Sequence, residues 1–390
     1  MITEQRSKYL SETVKSIKPS GIRRFFDLAS SMENVISLGV GEPDFVTPWN
    51  VIEASYHSLE QGYTAYTANA GLPELRKEIS RYMRRRFGVS YRAEDEMIVT
   101  VGASQAIDIA LRAILNPGEE VIVVEPSFVS YAPTVTLAGG VPVPVHTYSQ
   151  DEFKLQPEHI ESAVTERTKA ILLCSPNNPT GTVLSKNDLV KIAEVVEKYD
   201  LLVISDEIYA ELTYDEPYTS FSSIESMRDR TILISGFSKA FAMTGWRLGF
   251  ACGPKEILQA MLKIHQYTMM CAPTMAQHAA LEALVNGQKD VIKMKESYRQ
   301  RRSLVTHALE EMGLSCHIPG GAFYVFPSIE KTGLSSEEFA EQLLMQEKVA
   351  VVPGSVFGES GEGHVRCSYA TSIQKLEEAM RRIDRFLKTL

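Results

Sequence analysis

The run Ser235-Gly236-Phe237-Ser238-Lys239-Ala240-Phe241-Ala242-Met243-Thr244-Gly245-Trp246-Arg247-Leu248-Gly249 holds one lysine and one arginine, eight residues apart, in an otherwise uncharged stretch. Apolar neighbours desolvate an ammonium and push it toward the free amine, the nucleophile that a Schiff-base lysine supplies. The plainer alternative is a lysine that snorkels out of an apolar loop beside an ordinary surface arginine.

Three more polar groups follow predicted strands, and in an open α/β sheet ligands gather at the carboxyl ends of the strands. Gly102-Ala103-Ser104-Gln105 opens an apolar helix (Ile107, Ala110, Leu111, Ile114), so its free N–H groups and the Ser104 hydroxyl form a phosphate cradle, although any serine can be an ordinary N-cap. Ser175-Pro176-Asn177-Asn178-Pro179-Thr180-Gly181 is a shaped turn in which Asn178 offers an amide N–H to an anionic oxygen. In Asp206-Glu207-Ile208-Tyr209, a carboxylate at a poorly solvated strand end needs a cation. A cofactor pyridinium and a distant arginine both answer that need.

The elements that must position these groups are legible as β-branched runs alternating with amphipathic stretches. Strands are predicted at 97–101, 121–125, 141–145, 170–174, 201–205, 231–235 and 248–252, with a helix marked by Leu189, Ile192, Val196 and Tyr199. Toward the C-terminus, Thr371 to Gln374 reads as a capping box before a face of Ile373, Leu376, Met380, Ile383 and Leu387. The predicted fold is α/β: a large domain with a seven-stranded, mostly parallel sheet flanked by helices, plus a smaller α+β domain. Residues 1–45 are expected to form an N-terminal arm and part of the small domain, 46–285 the large cofactor-binding domain, and 286–390 the small C-terminal domain.

A length of 390 residues favours two domains, and 44% apolar with 23% charged residues is an ordinary globular composition. A formal charge of -9 argues against a nucleic-acid partner. The basic run Arg81 to Arg86 lies where Leu75, Ile79, Met83 and Phe87 recur at helical spacing, and reads as a solvated helix face. Five scattered cysteines with no C-x-x-C pair, and eight histidines with no H-E-x-x-H, point to neither a disulfide framework nor a metal site. Gly39-Val40-Gly41-Glu42-Pro43-Asp44 fails as a dinucleotide fingerprint, because Pro43 stands where a helix should start and Asp44 replaces the third glycine. Charge within Met1 to Lys8 argues against a signal peptide, and no apolar run reaches the roughly 18 residues of a membrane helix. A cytoplasmic protein without a membrane partner is expected.

Taken in order, Ser37 to Phe45 (SLGVGEPDF), Tyr63-Thr64-Ala65-Tyr66, Asn178-Pro179-Thr180-Gly181, Asp206 to Tyr209, the Lys239 segment and Val365-Arg366-Cys367-Ser368 carry a resemblance over essentially the whole chain. The chain resembles the fold-type I, pyridoxal-phosphate-dependent class I/II aminotransferases, and within them the bacterial aspartate, alanine and aromatic enzymes. The resemblance implies that Lys239 forms the Schiff base with pyridoxal 5'-phosphate and moves the substrate proton. It places Asp206 at the pyridine nitrogen, Asn178 and Tyr209 at the ring oxygen, and Phe128 against the ring face, where simple core packing is the alternative. Arg247, Ser238, Ala103, Ser104 and Gln105 would hold the phosphate. Tyr66 would reach that phosphate from the other subunit of a homodimer. Arg366 would grip the substrate α-carboxylate, with Gly39 and Asn178 beside it.

Two departures stand out: Gly236 occupies a position where some relatives carry a phosphate-binding serine, and no residue is identified for a second, side-chain carboxylate. The implied activity is exchange of an amino group between an L-amino acid and a 2-oxo acid such as 2-oxoglutarate. Aspartate is the first donor expected, with alanine and aromatic amino acids close behind. A pyridoxal-phosphate-dependent β-lyase and a non-catalytic cofactor-binding regulatory module are the alternatives.

Overall fold

A computed structural model describes residues 8–19, 21 and 32–390. Twelve strands are formed among them: β1 (Ile36–Ser37), β2 (Met97–Thr100), β3 (Glu120–Glu125), β4 (Val141–His146), β5 (Thr168–Cys174), β6 (Leu202–Asp206), β7 (Thr231–Gly236), β8 (Gly249–Cys252), β9 (Tyr324–Val325), β10 (Val349–Ala350), β11 (Val352–Pro353) and β12 (Val365–Ser368). The seven predicted strands are β2 to β8, displaced by no more than two residues at either end. They form one sheet in the order β2-β8-β7-β6-β5-β3-β4. Only β8 runs against its neighbours β7 and β2, so the sheet is mostly parallel.

Period-two alternation explains why helices cover both faces. Val121, Val123, Ala170, Leu172 and Ile204 pack with Ile107, Leu111, Leu258 and Met261 from helices Gly102–Ile114 and Lys255–Thr268. The interleaved Ile122, Ile171, Leu173 and Val203 pack with Leu189, Ile192 and Val196 from helix Lys186–Lys198. The strand ends between these layers are thereby fixed.

The C-terminal elements build a second core. Strands β11, β12 and β9 form an antiparallel sheet, and β1 pairs in parallel with β10, which joins the N-terminal segment to this region. Leu38 is buried there with Tyr298, Phe323, Tyr324, Phe339 and Phe386, and the same cluster takes in Ile208, Tyr209 and Leu212 from just beyond β6. The expected N-terminal arm falls partly on residues 1–7, 20 and 22–31, which lie outside the described residues.

Two local expectations are corrected. The helix Ile373–Leu387 is capped by Ser372, whose side chain accepts from Lys375 N–H, not by a box from Thr371 to Gln374. Lys375 at the third helical position cannot return the hydrogen bond that a box requires, and Ile373 is exposed rather than on the apolar face. The basic face of helix Pro73–Phe87 is also not wholly solvated, because Arg86 forms a two-pronged pair with buried Glu211, which also accepts from Tyr82.

Candidate active site

Beyond β7 the chain leaves the sheet in a turn anchored by buried Phe237, Phe241 and Met243. Thr47 Oγ1 donates to Ala242 O at 2.6 Å and accepts from Trp246 Nε1 at 3.0 Å, fixing the turn from outside. Ala242 and Arg247 both hold positive φ, a local strain that the packing must sustain. The turn presents Lys239 to a cavity of about 360 Å³. Its Nζ donates to Gly41 O at 2.7 Å and lies near the rings of Tyr209 and Phe323. Burial lowers the amine's pKa to about 8, with Arg366 and Arg247 adding to the effect and Glu42 and Asp206 opposing it.

Gly102 has φ +78°, and a Cβ there would stand 2.5 Å from Arg247 Nη2. Its absence lets the guanidinium lie against the first turn of helix Gly102–Ile114, where Ala103 and Ser104 also line the cavity. Arg247 is exposed and donates to Thr244 O at 2.9 Å. The glycine at 236 has a packing cause: it faces Gly249 across the β7–β8 pair, and a Cβ would lie 2.9 Å from the Gly249 Cα.

Asp206 ends β6 and is buried, with no ion pair among the described residues. Its Oδ2 accepts from Tyr131 Oη at 2.7 Å and its Oδ1 from Ile208 N–H at 3.1 Å. Burial pushes this carboxyl upward, against the pull of those two donors and of the Lys239 charge. Tyr209, also buried, shares a hydrogen bond of 2.9 Å with Tyr324 Oη, and burial holds its phenol well above the ordinary range, so it remains a donor.

Arg366 rises from β12 and is 3% exposed. Its Nη1 donates to Asn178 Oδ1 at 2.8 Å and its Nη2 to Gly39 O at 2.6 Å. Its guanidinium lies between the rings of Tyr324 and Phe357, 4.5 and 5.0 Å from the centroids. Nε is buried without a partner among the described residues, none of which sets an anion beside the guanidinium, and burial lowers its pKa.

Lys239, Asp206, Tyr209, Asn178, Ala103, Ser104, Phe128, Ser238, Arg247, Arg366 and Gly39 thus meet at one cavity. Two expected residues are not among its walls. Gln105 turns its carboxamide to Val101 N–H and His265 Nδ1. Tyr66 is 79% exposed on this chain.

Sequence reasoning passed over Tyr131, Tyr324, Glu42 and Cys174, which line the cavity, and Phe357, which backs Arg366. Tyr131 lies three residues after Phe128, at the start of helix Tyr131–Leu137. Tyr324 and Phe357 carry no local signal.

The aminotransferase class I and II family matches residues 33–383. A provisionally named aminotransferase, YugH, of Bacillus subtilis (strain 168) is 67% identical, over 98% of this chain and 99% of its own length. An aspartate aminotransferase of Pyrococcus abyssi (strain GE5 / Orsay) is 49% identical, over 97% of this chain and 98% of its own. Among solved structures, the aromatic aminotransferase from Pyrococcus horikoshii OT3 superposes with a TM-score of 0.90 at 47% identity, covering 94% of this chain and 99% of that one.

Proposed function

The chain belongs to the class I and II aminotransferases, and from that premise we propose that it passes amino groups between an L-amino acid and a 2-oxo acid such as 2-oxoglutarate, with pyridoxal 5'-phosphate held beside Lys239. The lyase and regulatory-module readings are not favoured, since relatives matched along the whole chain are named as aminotransferases.

The residues present fit that cofactor. The space left by Gly102, with Arg247, Ala103, Ser104 and Ser238 around it, suits a phosphate at a helix N-terminus. Gln105 would keep this turn in shape through Val101. Asp206, buried and without an ion pair among the described residues, would pair with the pyridine N–H, while Asn178 and Tyr209 would serve the ring oxygen and Phe128 the ring face. When bound, the cofactor supplies an aldehyde that captures amines and a ring that accepts the electron pair of a broken Cα–H bond. Arg366 binds the substrate α-carboxylate and so fixes which Cα bond faces Lys239. Lys239 Nζ, its pKa lowered to about 8, takes the Cα proton as a general base. The observation that carries this reading is the convergence on one cavity of a lysine with a lowered pKa and of a buried carboxylate and a buried arginine that form no ion pair among the described residues.

Aspartate is the first donor proposed, with alanine and aromatic amino acids next. Among the described residues, the cations lining the cavity are Lys239, Arg247 and Arg366, so a second carboxylate meets no fourth cation there. We also propose a cytoplasmic homodimer in which Tyr66 crosses to the partner's phosphate site. Its segment is tied to exposed Met270 through Asn69 Nδ2 and to Thr274 through Ala65 O, and Tyr63, Tyr66 and Tyr267 are exposed on these joined segments. Among the described residues no helix is long and apolar enough to cross a membrane. Residues 46–285 would form the cofactor-binding domain, with 1–45 and 286–390 building the smaller one.

The test is the visible spectrum of the cofactor-loaded protein after excess aspartate, alanine or phenylalanine is added with no 2-oxo acid present. Conversion to the pyridoxamine form by at least one donor is expected. No conversion by any of them would contradict the proposal.

A further inference from the structure

Glu125 closes β3, outside the cavity, and has no part in the chemistry above. Its Oε2 accepts from Glu359 N–H at 3.2 Å and lies 3.6 Å from Nδ1 of His146, its direct partner in the β3–β4 register. Gly358 has φ +123°, and a Cβ there would stand 2.3 Å from that same oxygen. The carboxylate therefore sits on the backbone of the 357–359 segment, at a place only glycine permits.

That segment carries Phe357, whose carbonyl accepts from Ser127 N–H at 2.9 Å and whose ring backs the Arg366 guanidinium at 5.0 Å. Ser127 in turn precedes Phe128, a wall of the cavity. One short stretch after β3 thus holds both the cofactor side, through Phe128, and the aromatic backing of the carboxylate-binding arginine. A guanidinium pressed between two rings is oriented by them, so a shift of Phe357 changes the aim of Arg366.

We propose that Glu125 is a positioning residue for substrate binding: by capturing the Gly358–Glu359 backbone it seats Phe357 against Arg366 and sets how tightly the α-carboxylate is held. The inference rests on the proposed role of Arg366. Burial pushes the Glu125 carboxyl upward, opposed by His146 and the Glu359 N–H. Among the described residues, His146 from β4 and Glu359 from the captured turn are the titratable groups that bear on it. Loss of its proton at higher pH strengthens the capture, because a charged acceptor holds an N–H more firmly than a neutral one.

The experiment is calorimetric titration of 2-oxoglutarate into the cofactor-loaded wild type, Glu125→Gln and Glu125→Ala proteins from pH 5.5 to 8.5, alongside donor KM, kcat and cofactor occupancy. At the alkaline end, Glu125→Ala is expected to weaken 2-oxoglutarate about tenfold and to raise donor KM similarly, the scale of one lost charge-assisted hydrogen bond. Loss in kcat should be smaller, and occupancy should be retained. Glu125→Gln, which keeps an acceptor oxygen, should lose about threefold at the alkaline end, and the gap to wild type should narrow, not widen, toward acid. Unchanged affinity in folded Glu125→Ala, or a Glu125→Gln ratio that widens as the pH falls, would overturn the proposal. So would a fall in cofactor occupancy matching the fall in affinity. If the wild type itself failed to bind 2-oxoglutarate, the reading of the site would fail first, and this inference with it.

Discussion

Tyr131 donates its hydroxyl to Asp206 Oδ2 at 2.7 Å, at a buried strand end where the carboxylate has no ion-pair partner among the described residues. This bond favours the charged form of Asp206 against a burial that disfavours it. Tyr131→Phe should therefore raise the Asp206 pKa further and weaken its hold on a protonated ring nitrogen. A hydrogen bond to a charged group is worth roughly 1.5–3 kcal/mol, so cofactor affinity and the single-turnover rate should each fall about tenfold or more. Stopped-flow absorbance and cofactor titration check both.

Lys239 predicts a pH dependence whose sign follows from its lowered pKa of about 8. Below that pH the amine is an ammonium and unreactive, and above it the nucleophile is free. Capture of pyridoxal phosphate by the cofactor-free protein should accelerate through about pH 8 and then level off. Between about 8 and the ordinary lysine value of 10.5, the unfolded chain holds a proton that the folded chain has released. Stability linked to this group should rise with pH across that window. Rates from rapid mixing, and urea midpoints across the same range, test the two statements.

Arg366→Leu removes the donors to Asn178 Oδ1 and Gly39 O together with the carboxylate site. Donor KM should rise on the order of a hundredfold or more while cofactor occupancy survives, since two charge-assisted hydrogen bonds are lost from the substrate and none from the cofactor. Arg366→Lys should recover little, because an ammonium lacks the planar fork and does not fit between Tyr324 and Phe357 in the same way.

Gly102→Ala reverses that pattern. The added methyl meets a positive φ and stands 2.5 Å from Arg247 Nη2, so the guanidinium must leave its place. Backbone strain alone costs roughly 1–2 kcal/mol. Phosphate-dependent cofactor affinity should drop at least tenfold, with donor KM little changed at full occupancy, as measured by titration with pyridoxal phosphate and with pyridoxal lacking the phosphate.

The parts of this arrangement that sequence made legible share one property: their signal is local. Strands β3, β5 and β6 are β-branched runs whose alternate residues pack on opposite helical layers. Lys239 and Asp206 stand in short motifs at or just beyond strand ends, and Arg366 in the short motif that forms β12. What stayed hidden depends on contacts between distant segments. Tyr324 and Phe357 matter because Arg366 comes to lie between them, and Gln105 is drawn away by His265, 160 residues further along the chain. The cap at Ser372 was missed by one residue because Thr371 and Ser372 are both capping types, and only backbone geometry chooses between them.

The central claim is that Lys239 is the residue that holds the cofactor, and the most direct test is borohydride reduction of the loaded protein followed by peptide mass mapping. The wild type should carry the reduced cofactor on the peptide containing Lys239, and Lys239→Ala should fold, bind cofactor reversibly and carry no label. Label on another lysine of the wild type, or covalent label persisting in Lys239→Ala, would contradict the account.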